Sequence, residues 1–266
     1  MATFADDHRY AMPAHFGGEP GGMYPLHYRD TVSATVWYET DGEQLAQLLP
    51  PGFTLDAPQI MVSAVMNRGV EWMAGEAYNI LSVNVPATYR GAQDTLSGWY
   101  CLVVWENNAI PILPGREGTG IPKIYGEIED FRFDADTMRT WAHLSGHTFC
   151  QLHLTGIVDA EERRRAEIDD AFSTMQWMAW RYIPRTGPTG GAELSQATVF
   201  PQEFVSTRVR FAHNTIEWSV PPLWQNPTQH HIISALATLP VGKPSGPAVI
   251  MDAENILRGD LARVLR

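Results

Sequence analysis

Lysine is almost missing from this sequence. Of 19 basic residues in 266, two are lysines, Lys123 and Lys243, and the rest are arginines. Basic charge is short altogether: 30 acids leave a formal net charge of -11, and a phosphate-backbone partner, which needs a basic footprint, is excluded. The one basic run, Arg163 to Arg165, sits among compensating acids. Cysteine is equally scarce. Cys101 and Cys150 are too few for a disulfide framework and lie in strand-like apolar stretches, so they read as buried free thiols in a reducing compartment. No N-terminal stretch has the apolar core of a signal peptide, and no run approaches the roughly 18 apolar residues of a membrane span. The expectation is a soluble, cytoplasmic protein that binds neither nucleic acid nor membrane.

What is present is core-forming material: 44% hydrophobic residues, nine tryptophans and only 18% charged residues. A chain of this length buries roughly 70 to 75% of its unfolded surface. Residues 1–26, rich in Gly, Pro and Met, have no helical or strand period and read as an N-terminal arm, ordered only where it lies on another surface. Residues 27–266 contain no linker and no repeat and read as one domain. Strand-like runs lie at Thr31–Glu39, Ile60–Met66, Ile80–Val85, Trp99–Trp105, Thr148–Thr155, Phe204–Phe211 and Thr215–Val220, a spacing that favours an antiparallel sheet or barrel. Asp41 with Gln44 forms a capping box for a short helix that Pro50 and Pro51 stop. The apolar period predicts a long helix from about Asp159 to Tyr182 and a closing helix from Asp252 onward.

Few patterns carry chemistry. The glycines of GREGTG lack the Lys-Ser or Lys-Thr that a phosphate loop requires. His143, His147, Cys150 and His153 do not make a metal site, because Gly146 weakens a helix there and Cys150 and His153 point to opposite faces of a strand. No metal and no cofactor is expected. Lys123 stands out, flanked by Ile121, Pro122, Ile124 and Tyr125. An amine is a nucleophile only when neutral, which at pH 7 is about one lysine in 2,500 at its ordinary pKa. Burial among apolar groups lowers a lysine by up to about 3 to 5 units, enough to free it. The alternative is a lysine that snorkels from an edge strand or pairs with Glu117 or Glu127.

Gly115-Arg116-Glu117 followed by Pro122-Lys123 resembles the acetoacetate decarboxylase family, in which Gly-Arg-Glu precedes a Pro-Lys bearing the Schiff-base lysine. His27-Tyr28-Arg29, Leu48-Leu49-Pro50 with Phe53-Thr54-Leu55-Asp56, Gly75-Glu76-Ala77-Tyr78 and Ala237-Thr238-Leu239-Pro240-Val241 extend the resemblance over roughly residues 24–266. It implies a mainly antiparallel α+β fold, a closed β-barrel with helices packed around it, and a homo-oligomer. It also implies that Lys123 is the nucleophile, that the stretch around Glu76 supplies a buried glutamate, and that Arg29 belongs to the site. Two departures bear on the reaction: Ile124 stands where the decarboxylases carry a second lysine, and Ser63 where they carry a second active-site glutamate.

Together these point to a carbon–carbon lyase. Lys123 forms an iminium with a small 2-oxo acid such as pyruvate, and the derived enamine condenses with an aldehyde in an aldolase-dehydratase reaction or its reverse. Arg29 anchors the carboxylate, directly or by orienting Glu76, and Glu76 shuttles protons. Trp72, Tyr78, Tyr125 and Ser63 are candidates for the substrate pocket, and Arg116 and Glu117 for shaping the loop that presents Lys123. Decarboxylation of acetoacetate through the same iminium is the alternative reaction, and a non-catalytic keto-acid-binding barrel the alternative class.

Overall fold

The period-two alternation of the longest strand-like runs fixes the architecture, because it makes sheet rather than helix the main element. The computed structural model describes residues 4–20 and 24–266. Strands β1 (His8–Arg9) and β2 (Glu19–Pro20) form a small sheet of their own within the expected arm, of which residues 1–3 and 21–23 lie outside the described residues. All other strands join one fifteen-stranded sheet. They begin with β3 (Leu26–Glu39), β4 (Phe53–Leu55), β5 (Gln59–Val70), β6 (Glu76–Arg90), β7 (Thr95–Glu106), β8 (Lys123–Tyr125), β9 (Glu127–Ile128) and β10 (Arg132–Asp134). The sheet is completed by β11 (Thr137–Leu144), β12 (His147–Asp159), β13 (Trp177–Pro184), β14 (Ala192–Val199), β15 (Gln202–Trp218), β16 (Ala248–Leu257) and β17 (Arg263–Val264). The α-helices are α1 (Gly42–Ala46), α2 (Ala109–Pro114), α3 (Glu162–Ser173) and α4 (His230–Thr238).

The hydrogen-bonded order runs β10, β11, β12, β15, β16, β3, β5, β6, β7, β13, β14, β17. Pairing is antiparallel except where β7 meets β13 and β8. Among the described residues the path is open, ending at β10 and β17, each paired on one edge, so the ladder does not form the closed barrel expected. Near one end it is bridged: β8 pairs with β7, while β9, one residue further on, pairs with β11. The segment carrying Lys123 thus spans two strands that stand far apart in the order. Gln229, at the start of α4, braces it, accepting from Trp105 Nε1 at 2.9 Å and donating to the Tyr125 carbonyl at 2.8 Å.

Strands β3, β5, β6 and β7 are buried on both faces, and the two faces differ in kind. Ala34, Val36, Val62, Ala64, Leu81, Val83, Val103 and Trp105 face the main apolar core. Alternate positions, among them Thr31, Ser33, Thr35, Ser63, Asn67, Ser82 and Asn84, line a cavity. A bulge at Leu102, where the β6–β7 register shifts, puts both Cys101 and Val104 on the cavity side. Buried polar groups need partners, and several find them within this layer: Thr35 Oγ1 with Ser63 Oγ at 2.9 Å, Thr31 donating to Asn67 at 3.3 Å, Asn84 to Ser82 at 3.1 Å.

Asp41 caps α1 as its pattern predicts, accepting from the Glu43 and Gln44 amides. Both cysteines are buried and free. Three expectations fail. The long helix stops at Ser173, because WMAWRYI is rich in aromatics that favour strand and Trp177 joins β7 in parallel. The closing helix is instead β16 followed by a short 3-10 turn at Gly259–Leu261, since β16 fills a slot between β15 and β3 and bonds on both edges. The runs at Phe204 and Thr215 are one strand, β15.

Candidate active site

Lys123 opens β8, and its place follows from the turn before it. The stretch Gly115–Thr119 is a single π-helical turn ended by Gly120 at φ 79°, in the left-handed region where glycine is preferred. The Lys123 amide then closes a tight turn onto the Ile121 carbonyl at 2.7 Å. Arg116 Nη1 donates to the Lys123 carbonyl at 2.8 Å, and Glu117 lies half-buried in the same turn.

The glycines of GREGTG make room for side chains rather than for phosphate. A methyl group on Gly115 meets Lys123 Cδ and Cε at 2.6 Å, and one on Gly120 meets the backbone of Arg181 at 2.7 Å and 2.9 Å. The first obstacle is a flexible chain end, the second is backbone. Gly115→Ala is therefore expected to fold yet displace the amine, lowering the rate of borohydride-trapped adduct formation by about 100-fold, as a displacement of about 1 Å does. Gly120→Ala is expected to fail earlier, as a loss of soluble protein or a marked fall in Tm.

The Lys123 side chain is only 8% exposed. Its Nζ lies 2.9 Å from Glu106 Oε1, in an ion pair, and donates to the Pro111 carbonyl at 3.1 Å. Glu106 is the last residue of β7 and fully buried. In register, Lys123 faces Val104, so Glu106 is its diagonal neighbour on the adjacent strand. Among the described residues Glu106 Oε2 meets no donor. Burial raises the Glu106 pKa above the ordinary carboxylate range, and Lys123 offsets part of that. For Lys123, burial is the largest influence and pushes the amine down, but Glu106, helped by Tyr28 and Tyr24, outweighs it, and the amine ends above its ordinary range. Burial alone therefore does not hold Lys123 neutral, and its partner is neither Glu117 nor Glu127.

An attraction on the order of 5 kcal/mol, at 2.9 Å and an effective dielectric of 20, is of the same size as the several kcal/mol per ion that burial costs. Net stability is a poor reason to keep such a pair; a proton that moves between its members is a better one.

The cavity holds about 120 Å³, room for on the order of ten water-sized groups. Lys123 and Glu106 line one part of it with Tyr28, Tyr78 and Cys101. Burial holds the Tyr78 hydroxyl, which hydrogen-bonds Tyr28, far above its usual pKa, so it stays a donor at neutral pH. Burial likewise pushes the Cys101 thiol up to about 12, too high for a nucleophile.

Of the residues singled out from sequence, the structure brings Lys123, Ser63 and Tyr78 together and leaves the others outside the cavity lining. Glu76, expected to be buried, is exposed at the start of β6, where the chain leaves the Gly75 turn. Arg29 is 55% exposed and bonded to Glu71 at 2.9 Å and Glu254 at 3.0 Å, not to Glu76. Trp72 is half-buried against the apolar cluster that contains Tyr28 and Tyr78, without itself lining the cavity, and Tyr125 is 46% exposed. Ser63 has a hydroxyl partner in Thr35, and among the described residues Glu106 is the sole carboxylate in the cavity lining. Sequence reading missed Glu106 and Tyr28. Tyr28 is the middle residue of the His27-Tyr28-Arg29 stretch from which Arg29 was chosen, and strand alternation turns it inward while Arg29 faces out.

A lone buried lysine with a carboxylate partner is set here behind a Gly-Arg-Glu turn, and the sequence model of acetoacetate decarboxylase (ADC) matches residues 11–243. The chain belongs to the acetoacetate decarboxylase family. No curated protein matches it in sequence. Among solved structures, the acetoacetate decarboxylase of Legionella pneumophila is similar at a TM-score of 0.73, with 16% identity over 93% of this chain and 88% of that one. An acetoacetate decarboxylase-like enzyme from Sphingomonas wittichii RW1 gives 0.69, with 17% identity over 91% and 93%. The enduracididine biosynthesis enzyme MppR, complexed with the condensation product of pyruvate and imidazole 4-carboxaldehyde, gives 0.70, with 14% identity over 98% and 97%. At such identities the likeness fixes the acetoacetate decarboxylase-like fold. Among the described residues no helix is long and apolar enough to cross a membrane.

Proposed function

We propose that the protein is a Schiff-base lyase that condenses pyruvate, or a similar small 2-oxo acid, with an aldehyde and removes water. The observation that carries this reading is the Lys123–Glu106 pair, 2.9 Å apart against a cavity. MppR, of the same fold, holds the product of such a condensation.

In this mechanism the ammonium passes its proton to Glu106 as the ketone enters, giving a neutral amine and a carboxylic acid. The amine attacks C2, and Glu106 protonates the carbinolamine oxygen, which leaves as water. Glu106, again a carboxylate, takes a proton from C3 of the iminium to give the enamine. The enamine carbon adds to the aldehyde, and the alkoxide recovers that proton. Loss of a second water and hydrolysis of the iminium release an unsaturated 2-oxo acid and Lys123. The balance is one 2-oxo acid and one aldehyde in, one unsaturated acid and one water out. Proton transfer is thus assigned to Glu106 in place of Glu76, and the keto-acid carboxylate to the hydroxyls of Tyr28 and Tyr78 in place of Arg29. Arg116, bonded to the Lys123 carbonyl, holds the turn in shape.

Borohydride reduction in the presence of pyruvate is expected to add one pyruvate-derived group to Lys123, located by peptide mass spectrometry. Absence of an adduct with both pyruvate and acetoacetate sinks the Schiff base. Carbon dioxide release from acetoacetate, with no ultraviolet-absorbing product from pyruvate and an aldehyde, makes the chain a decarboxylase instead.

A further inference from the structure

The cavity beside Lys123 has two unlike walls. One, from β3, β5 and β6, is built of hydroxyls and amides. The other is aromatic: Phe172 from the end of α3, Trp177 from the start of β13, and Phe200 and Phe204 at and just before β15. Phe172 and Phe204 meet edge to face at 5.9 Å, which holds the wall rigid. Beyond Lys123 and Glu106, which offset one another, no lining residue among the described ones is charged. Among the described residues, two lining residues besides Glu106 keep buried polar atoms without a partner, the Trp177 indole N–H as a donor and Asn255 Oδ1 as an acceptor.

We propose that the second substrate is an uncharged, flat aldehyde whose ring carries a hydrogen-bonding edge, a hydroxyaryl or heteroaryl aldehyde rather than a plain aryl or a carboxylated one. This rests on the condensation reading of the same site. A ring packs against the aromatic wall, and its hydroxyl or ring nitrogen replaces partners among Ser33, Thr35, Ser63 and their neighbours. A carboxylate in the same place meets hydroxyls but no cation, and leaves its hydration behind. A bare ring leaves the polar wall unpaired when it displaces water.

Binding to the wild-type protein, measured by calorimetry with the corresponding alcohols, tests this without any Schiff-base step, because an alcohol cannot form one. The probes are benzyl alcohol, 4-hydroxybenzyl alcohol, imidazole-4-methanol and 4-carboxybenzyl alcohol. The 4-hydroxy and imidazole compounds are expected to bind about tenfold tighter than benzyl alcohol, the span of one neutral hydrogen bond, and the carboxylated one at least tenfold weaker. In the paired variant Thr35→Val with Ser63→Ala, which removes two bonded hydroxyls at nearly constant shape, the tenfold advantage is expected to fall below threefold. Benzyl alcohol binding as well as the 4-hydroxy compound, the carboxylated probe binding best, or an advantage unmoved in the variant each overturns the proposal. Borohydride trapping with pyruvate alone judges the Schiff base separately.

Discussion

Glu106→Gln is expected to slow the condensation by about 10² to 10⁴, the range of a lost general acid–base group, while making Lys123 trappable by borohydride at lower pH than in the wild type. With the carboxylate gone, burial is left as the main influence on the amine and pushes it down. The variant thus gains a neutral nucleophile and loses the group that moves protons to and from it. The sign of the stability effect follows. A lysine whose folded pKa lies below its unfolded value binds fewer protons in the native state, so stability rises with pH between the two values. Urea denaturation between pH 7 and 10 is expected to show the variant gaining stability with pH. A trapping profile that coincides with the wild type rules out Glu106 as the group that sets the charge of Lys123.

Lys123→Met is expected to abolish the adduct and destabilise the fold by about 3 to 5 kcal/mol at neutral pH, the usual result of leaving one member of a buried pair alone. Its pH dependence has the opposite sign. Glu106, already raised by burial, loses the cation that lowers it, so the native state holds a proton that the unfolded state releases. The stability of this variant therefore falls as pH rises above the ordinary carboxylate range. Adding Glu106→Leu to Lys123→Met is expected to restore most of the stability and none of the chemistry, since apolar groups of similar volume often replace a buried pair without loss. If both single variants are as stable as the wild type at pH 7, the two charges are not buried together in solution.

Much of the fold was legible because strand alternation is a local signal. Thr31–Glu39 and Ile60–Met66 read as strands from their residues, and both lie inside longer ones. The helix expected through Tyr182 was misread because Ile168, Phe172 and Met175 do sit at helical spacing, and nothing local says that the partner of Trp177 is Trp99. The candidate site was legible at Lys123, whose rarity and apolar flanks mark it, and in part at Ser63 and Tyr78, which also line the cavity. Glu106 closes an apolar strand before Asn107 and Asn108 and looks like a turn residue. What brings it beside Lys123 is pairing between β7 and β8, a contact across 17 residues of chain that no spacing rule contains. Glu76 and Arg29 illustrate the converse: residues chosen by motif lie on the surface, while Tyr78, chosen as a pocket candidate, and Tyr28, not chosen, line the cavity.

The two buried faces of β3, β5 and β6 have an evolutionary corollary. Odd-numbered positions from Thr31 to Thr35 face the cavity, and the alternating Val32, Ala34 and Val36 face the core. Mutations on one set change selectivity and on the other stability, so the two traits can drift almost independently along the same strands. A lineage can then change what the cavity holds through hydroxyl and amide exchanges while its core stays fixed. The same property makes positions 31, 33, 35, 63, 67, 82 and 84 a compact library for redirecting the enzyme.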